Sequence, residues 1–244
     1  MKLKTDILIP WLIDRLLLTR LAIRLQLGRR SWLVPLLALA WPLFQSFRLL
    51  AGDGAEGFDE ADAQNVLIGF PLYVLAIGLG VRIIAGEIEQ RTLEVTYTVP
   101  GGARRVWIAK IIAMLAPLVL AEVILAIVTA IFFTAFPLSV LYGALQGAIF
   151  YLVLTMGLGA LFRSEIAAAL AAGVILGLNI VYQGGGDNYS RLSPLFNPLT
   201  IEDSGAMEIV AWTIQNRIGF ALAIIALAAL AFARAERREK LLGS

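Results

Sequence analysis

The residues able to do chemistry are few in this chain, and most of them gather in one stretch. Between Arg82 and Lys110, the carboxylates Glu87, Glu89 and Glu94 alternate with Arg91; Pro100-Gly101-Gly102 follows, then Arg104, Arg105 and Lys110. Glutamate and arginine three or four residues apart face one another on a helix and form ion pairs. The Pro-Gly-Gly run breaks such a helix before the basic residues begin. From spacing alone the stretch is either an ordinary salt-bridged loop or a short, stiff polar lever suited to docking. Catalysis also lacks its usual materials, because the 244-residue sequence contains no cysteine and no histidine. That inventory excludes disulfides, thiolate metal sites, a cysteine nucleophile, a Ser-His-Asp triad and the common zinc or haem ligands.

Two further ionisable residues stand inside apolar surroundings. Glu122 lies near the middle of one long apolar run, and Arg217 lies about eight residues into another. A charge at bilayer depth costs about 2.5–3.5 kcal/mol on insertion scales, so each is a functional candidate. They are expected to pair, with Gln146, Gln215 and Asn216 as polar neighbours. Such a pair would line a pathway, or would simply tie packed helices together; Arg217 could also extend its stem toward the interface.

The elements that must position these residues are membrane spans. Hydrophobic residues make up 59% of the sequence and charged ones 16%, with a mean hydropathy of +0.83; soluble domains carry about 25% charge. Six apolar runs reach the roughly 20 residues that a spanning helix needs, near 31–51, 65–85, 111–133, 139–161, 165–182 and 209–232. Charge sorts the segments between them. All 20 basic residues except Arg48, Arg191 and Arg217 fall in segments that six spans place on one side, whereas the 52–64 link carries Asp53, Glu56, Asp59, Glu60 and Asp62 with no basic residue. Positive-inside bias then predicts that both termini are cytoplasmic.

Residues 5–27 form a seventh apolar stretch, broken by Asp14, Arg15, Arg20 and Arg24. Four charges argue for a helix lying in the interface with Trp11 at headgroup depth. The C-terminal run from Arg234 to Lys240 reads as a helix end at an anionic leaflet, not as a nucleic-acid contact. Residues 183–208 are the longest external segment; Gly184-Gly185-Gly186 and two prolines, Pro194 and Pro198, interrupt helix there. Gly143/Gly147 and Gly173/Gly177 permit close helix approach, within one subunit or between two. No repeat or linker divides residues 1–244, so a single all-α integral-membrane domain is expected.

Taken in order, Gly86-Glu87, Thr92-Leu93-Glu94, Pro100, Arg104-Arg105 and Lys110 resemble the cytoplasmic loop of ABC transporter permeases of the type 2 exporter family. Tyr97-Thr98-Val99 departs from the more leucine-rich run of that family. The resemblance implies an N-terminal interfacial elbow helix (residues 1–30), six transmembrane helices, a coupling loop over 86–110 that docks on an ATPase, and an external segment over 183–208. It implies Gly86, Glu87, Thr92, Leu93, Glu94, Pro100, Arg104, Arg105 and Lys110 as the ATPase-coupling residues. Location in a bacterial or archaeal plasma membrane is also implied.

No Gly-x-x-x-x-Gly-Lys-[Ser/Thr] motif occurs in the sequence, so ATP and magnesium are expected on a separate ATPase subunit, with no cofactor in this chain. The further expected partners are a second copy or a related permease, and membrane lipid. Few charges in the spans favour an apolar or amphiphilic cargo, moved by alternating access. The competing expectation is a secondary transporter or channel without an ATPase, for which Glu122 would be the one acidic coupling group. A lipid-modifying membrane enzyme is disfavoured, since carboxylates do not cluster at membrane depth.

Overall fold

The computed structural model describes residues 28, 33–52, 57–92, 103–183, 191–201 and 205–236. Among these residues every regular element is helical, and six helices are long and apolar enough to cross a membrane. They are α1 (Leu33–Leu50), α2 (Glu60–Glu89), α3 (Ala103–Phe132), α4 (Ser139–Phe162), α5 (Glu165–Gln183) and α6 (Ala206–Ala235). The expected runs are all present, but α2, α3 and α6 extend past them at both ends or one. At 1.5 Å per residue a 30-residue helix such as α3 is about 45 Å long, enough for the hydrocarbon core and both headgroup layers. The expected elbow at residues 1–30 falls almost wholly outside the described residues, as do the C-terminal residues 237–244.

Helix α4 is the centre of the bundle, packed by α2, α5 and α6. Small residues make that possible. A Cβ on Gly147 would come within 2.8 Å of the Tyr73 ring, and one on Gly80 within 2.5 Å of the Leu152 carbonyl. Gly143 and Gly147 therefore serve packing within the subunit. Gly173 and Gly177 on α5 have open space beside them. The core holds Trp107, Tyr73, Tyr151, Met114 and Leu118, all fully buried. By contrast α1, α5 and α6 turn Leu43, Phe47, Ile166, Leu170, Ile214 and Leu222 outward, each more than half exposed. Such a belt is unstable in water but is the expected contact with lipid.

Helix α2 is irregular in two places, each with an identifiable cause. Residues Ala63–Gly69 wind as π-helix, and the Phe70 N–H reaches back to the Asn65 carbonyl. In that register the Val66 carbonyl would look to residue 71, which is proline and has no N–H. The Trp41 indole supplies the missing donor at 2.8 Å and so fastens α1 to α2. Further along, Arg82 and Ile83 bond three residues back while Gly86 bonds five back, a local tightening and loosening that re-aims the last turn. That turn carries Glu87 and Glu89.

Loop geometry places the helix ends close together. Arg163, left-handed at φ 58°, stops α4, and only Ser164 separates it from α5. Segment 191–201 returns into the opposite end of the bundle: Ser193, Leu195, Phe196 and Asn197 are all buried. Asn197 shapes its last turn by accepting the Leu199 N–H, and its amide donates to the Ala61 carbonyl. The two ends of the bundle are named below by Glu87 and by Phe196.

Candidate functional site

Polar side chains assemble at three levels of the bundle, and the Glu87 end holds the first. The stretch 86–110 is not one continuous loop: Ala85–Glu89 is the final turn of α2, and Ala103–Lys110 already belongs to α3. The sequence Ala103-Arg-Arg-Val-Trp-Ile-Ala-Lys110 consists mostly of good helix formers, in keeping with its place in α3. Leu93, Glu94 and Pro100 lie outside the described residues.

Glu87 is the hub. It is 6% exposed, forms an ion pair with Lys110, and accepts the Trp107 indole N–H at 3.1 Å. Trp107 and Lys110 stand three apart on α3 and so share the face that meets Glu87. Trp107 in turn stacks on Phe232 of α6, centroids 5.7 Å apart. One residue pair along, the Glu89 carboxylate accepts the Glu165 backbone N–H at 2.7 Å. An anion there caps the start of α5 and complements its dipole. Gly86 lies beside it: a Cβ there would sit 2.8 Å from a Glu165 carboxylate oxygen, which the flexible glutamate would relieve by shifting. Arg104 forms a two-point ion pair with Glu236, tying α3 to α6. Arg105 and Thr92 are exposed. The end of α2 is thus fastened to α3 and α5, and α3 to α6. Of the residues expected to couple, Glu87, Lys110 and Arg104 bond within the bundle, Gly86 packs beside Glu165, and Arg105 and Thr92 are exposed.

The Phe196 end holds the second cluster. Arg217 donates to the Gln146 side-chain oxygen at 3.3 Å and to the Phe196 carbonyl at 3.5 Å, and it lies over the rings of Tyr142 and Phe196. Gln146 returns a bond to the Arg217 carbonyl, and the Gln64 amide reaches the Phe196 carbonyl at 2.8 Å. Asn216 donates to the carbonyls of Arg191 and Ser193. Segment 191–201 is therefore held by α2 and α6 through amide and guanidinium donors, and Gln146 of α4 braces Arg217. Gly143 leaves the room: its Cβ would lie 2.6 Å from Gln64 Oε1 and 2.7 Å from an Arg217 nitrogen.

Glu122 forms the third level, alone. It is 5% exposed and its Oε1 has no hydrogen-bond partner. Twelve residues separate it from Lys110 and ten from Phe132, about 18 and 15 Å along the axis, which places it mid-span. The expected pairing with Arg217 is not formed. Glu87 opposite Lys110 sets Glu122 level with about residue 75 of α2, whereas Arg217 extends toward Tyr142 and Phe196, nearer the other end. The cation finds carbonyls, an amide oxygen and two ring faces there. Of the neighbours expected around the pair, Gln146 and Asn216 serve Arg217 and segment 191–201, while Gln215 is exposed. Trp107 and Gln64 escaped the sequence reading, and Glu89 was read only as one of the carboxylates alternating with Arg91; the Trp107–Lys110 spacing was the one available signal. No protein-family model, curated protein or solved structure matches the chain.

Proposed function

We propose that this chain is the membrane-spanning permease subunit of an ABC exporter, with its Glu87 end in the cytoplasm facing a separate ATPase. The observation that carries this reading is the fastening of α2 to both α3 and α5 through Glu87 and Glu89. A push delivered to the segment between α2 and α3 would move several spans as a unit, as alternating access requires. The positive-inside bias supports the orientation, and exposed Thr92 and Arg105 offer a contact surface. Segment 191–201 closes the far end in this reading, and opening it means parting the Arg217 and Asn216 contacts. No bond is made or broken in this chain; an ATPase that binds one arrangement more tightly shifts the population.

The second reading, a transporter or channel without an ATPase, draws on Glu122, which is buried at mid-span without an ion partner. One experiment separates the two. The sequence has no cysteine, so Thr92→Cys supplies a single thiol at the end of α2. Cross-linking in native membranes, followed by mass spectrometry, is expected to capture a polypeptide with a nucleotide-binding Gly-x-x-x-x-Gly-Lys motif. Glu94→Arg is expected to abolish that adduct and the associated ATP hydrolysis. Efficient thiol labelling with no ATPase adduct would transfer the assignment to the second reading.

A further inference from the structure

A groove of about 540 Å³ runs along α6 from the Phe196 end, headed by Arg191 and continuing past Trp212 and Phe220 to Ala223. Helix α6 is the least buried of the six spans, so the groove lies on the lipid-facing side of the bundle. Its walls are fixed from behind. Phe220 meets Phe150 of α4 edge to face, centroids 5.1 Å apart. The Asn216 amide holds the Arg191 carbonyl at 2.8 Å and so ties the head of the groove to α6. The Arg191 guanidinium then lies over the Trp212 ring, 5.2 Å from its centroid. Among the described residues no carboxylate pairs with it.

We infer that this groove seats one phospholipid with an anionic head, its phosphate on Arg191 and one acyl chain laid along Gly219 and Ala223. Eleven residues separate Trp212 from Ala223, about 16 Å along the axis, which is the depth of one leaflet of a hydrocarbon core about 30 Å thick. Trp212 at the head occupies the level where indoles gather in membranes. Lower down the lining is apolar, and a Cβ on Gly219 would meet nothing within 4 Å, so the missing side chain leaves room for a tail. At the head, guanidinium offers paired N–H donors that match phosphate oxygens, and exposed Gln215 adds an amide beside them. No carboxylate borders the groove; Glu208, a turn beyond Trp212, is not part of its lining. A choline head would therefore bring a cation without a counter-charge to a ring that Arg191 already covers. Arg217 does not compete for the phosphate, since it turns inward to Gln146 and Phe196.

The site stands apart from the permease reading and is tested without an ATPase. The full chain is placed in phosphatidylcholine nanodiscs with a small share of a lipid that is photoreactive at one acyl-chain end. The probe carries either a phosphatidylglycerol or a phosphatidylcholine head, and adducts are mapped by mass spectrometry. The phosphatidylglycerol probe is expected to label residues 219–223 about tenfold more than its phosphatidylcholine counterpart, the share of one charge-assisted contact. Arg191→Gln should bring the two probes level there. Gly219→Leu should exclude both from the groove while labelling of the outer face of α1 persists. That added side chain starts in open space and leucine favours helix, so the fold is kept. Equal labelling of residues 219–223 by the two probes, an excess that survives Arg191→Gln, or labelling untouched by Gly219→Leu would each overturn the site. The sequence has no cysteine, so Ala223→Cys supplies one thiol; a disulfide-linked pair formed in the membrane would give the groove to a second copy and overturn the lipid. Failure to capture an ATPase would leave these results untouched.

Discussion

Replacing Lys110 with methionine tests whether the Glu87 end is held as described. Glu87 and Lys110 side chains are 7% and 18% exposed, so the pair is a buried one. Removing the cation leaves a carboxylate with the Trp107 N–H but no counter-charge. Stranding one member of a buried pair costs about 3–5 kcal/mol. Glu87→Gln is gentler, because the amide oxygen still accepts from Trp107 and the Lys110 stem can carry its ammonium toward water; about 1–2 kcal/mol is expected. Joining Glu87→Gln to Lys110→Met removes both charges, and the double variant should be more stable than Lys110→Met alone by about 2 kcal/mol. Unfolding free energies in mixed micelles, compared as a double-mutant cycle, measure these differences. A coupling energy below about 0.5 kcal/mol, typical of an exposed pair, would refute the account of Glu87 as a buried hub.

The Phe196 end makes its own demands. Gly143→Ala should drive Gln64 and Arg217 apart and raise hydrogen exchange across residues 191–201 at least about tenfold, equivalent to about 1.4 kcal/mol, while leaving the Glu87 end protected. Arg217→Lys should loosen the same segment nearly as much as Arg217→Met, because an ammonium cannot bond Gln146 and Phe196 in one plane while covering two rings; full protection in the lysine variant would contradict this. Glu122→Leu should raise stability by about 1 kcal/mol or more, since it removes a buried carboxylate with an unpartnered oxygen. Loss of stability there would reveal a partner that the described contacts do not supply.

Reading the residues alone was enough for an all-helical membrane architecture, because a span must satisfy its backbone internally and cover about 20 residues with apolar side chains. That requirement is local, and six runs met it with boundaries that moved by up to eight residues, at the start of α3. Lys110 and Glu87 were legible as important for the same reason: polar residues at the ends of apolar runs stand out. Their partnership was not legible, since it depends on where the last turn of α2 points after the irregular backbone at residues 81–84.

The Glu122–Arg217 expectation failed because depth alone does not make a contact. Rotation about each helix and the register between helices decide which polar groups meet, and both come from packing of small residues such as Gly143 and Gly147 against Gln64 and Tyr73. The Trp41–Val66 bond is likewise a tertiary product: Pro71 removes a donor within α2, but only α1 packed alongside brings the Trp41 indole to the Val66 carbonyl. Local sequence determined which segments are long and apolar enough to span a membrane, and that no cysteine or histidine is available. The packed bundle decided which buried polar atoms are satisfied, and left Asn65, Tyr73 and Glu122 with oxygens that are not.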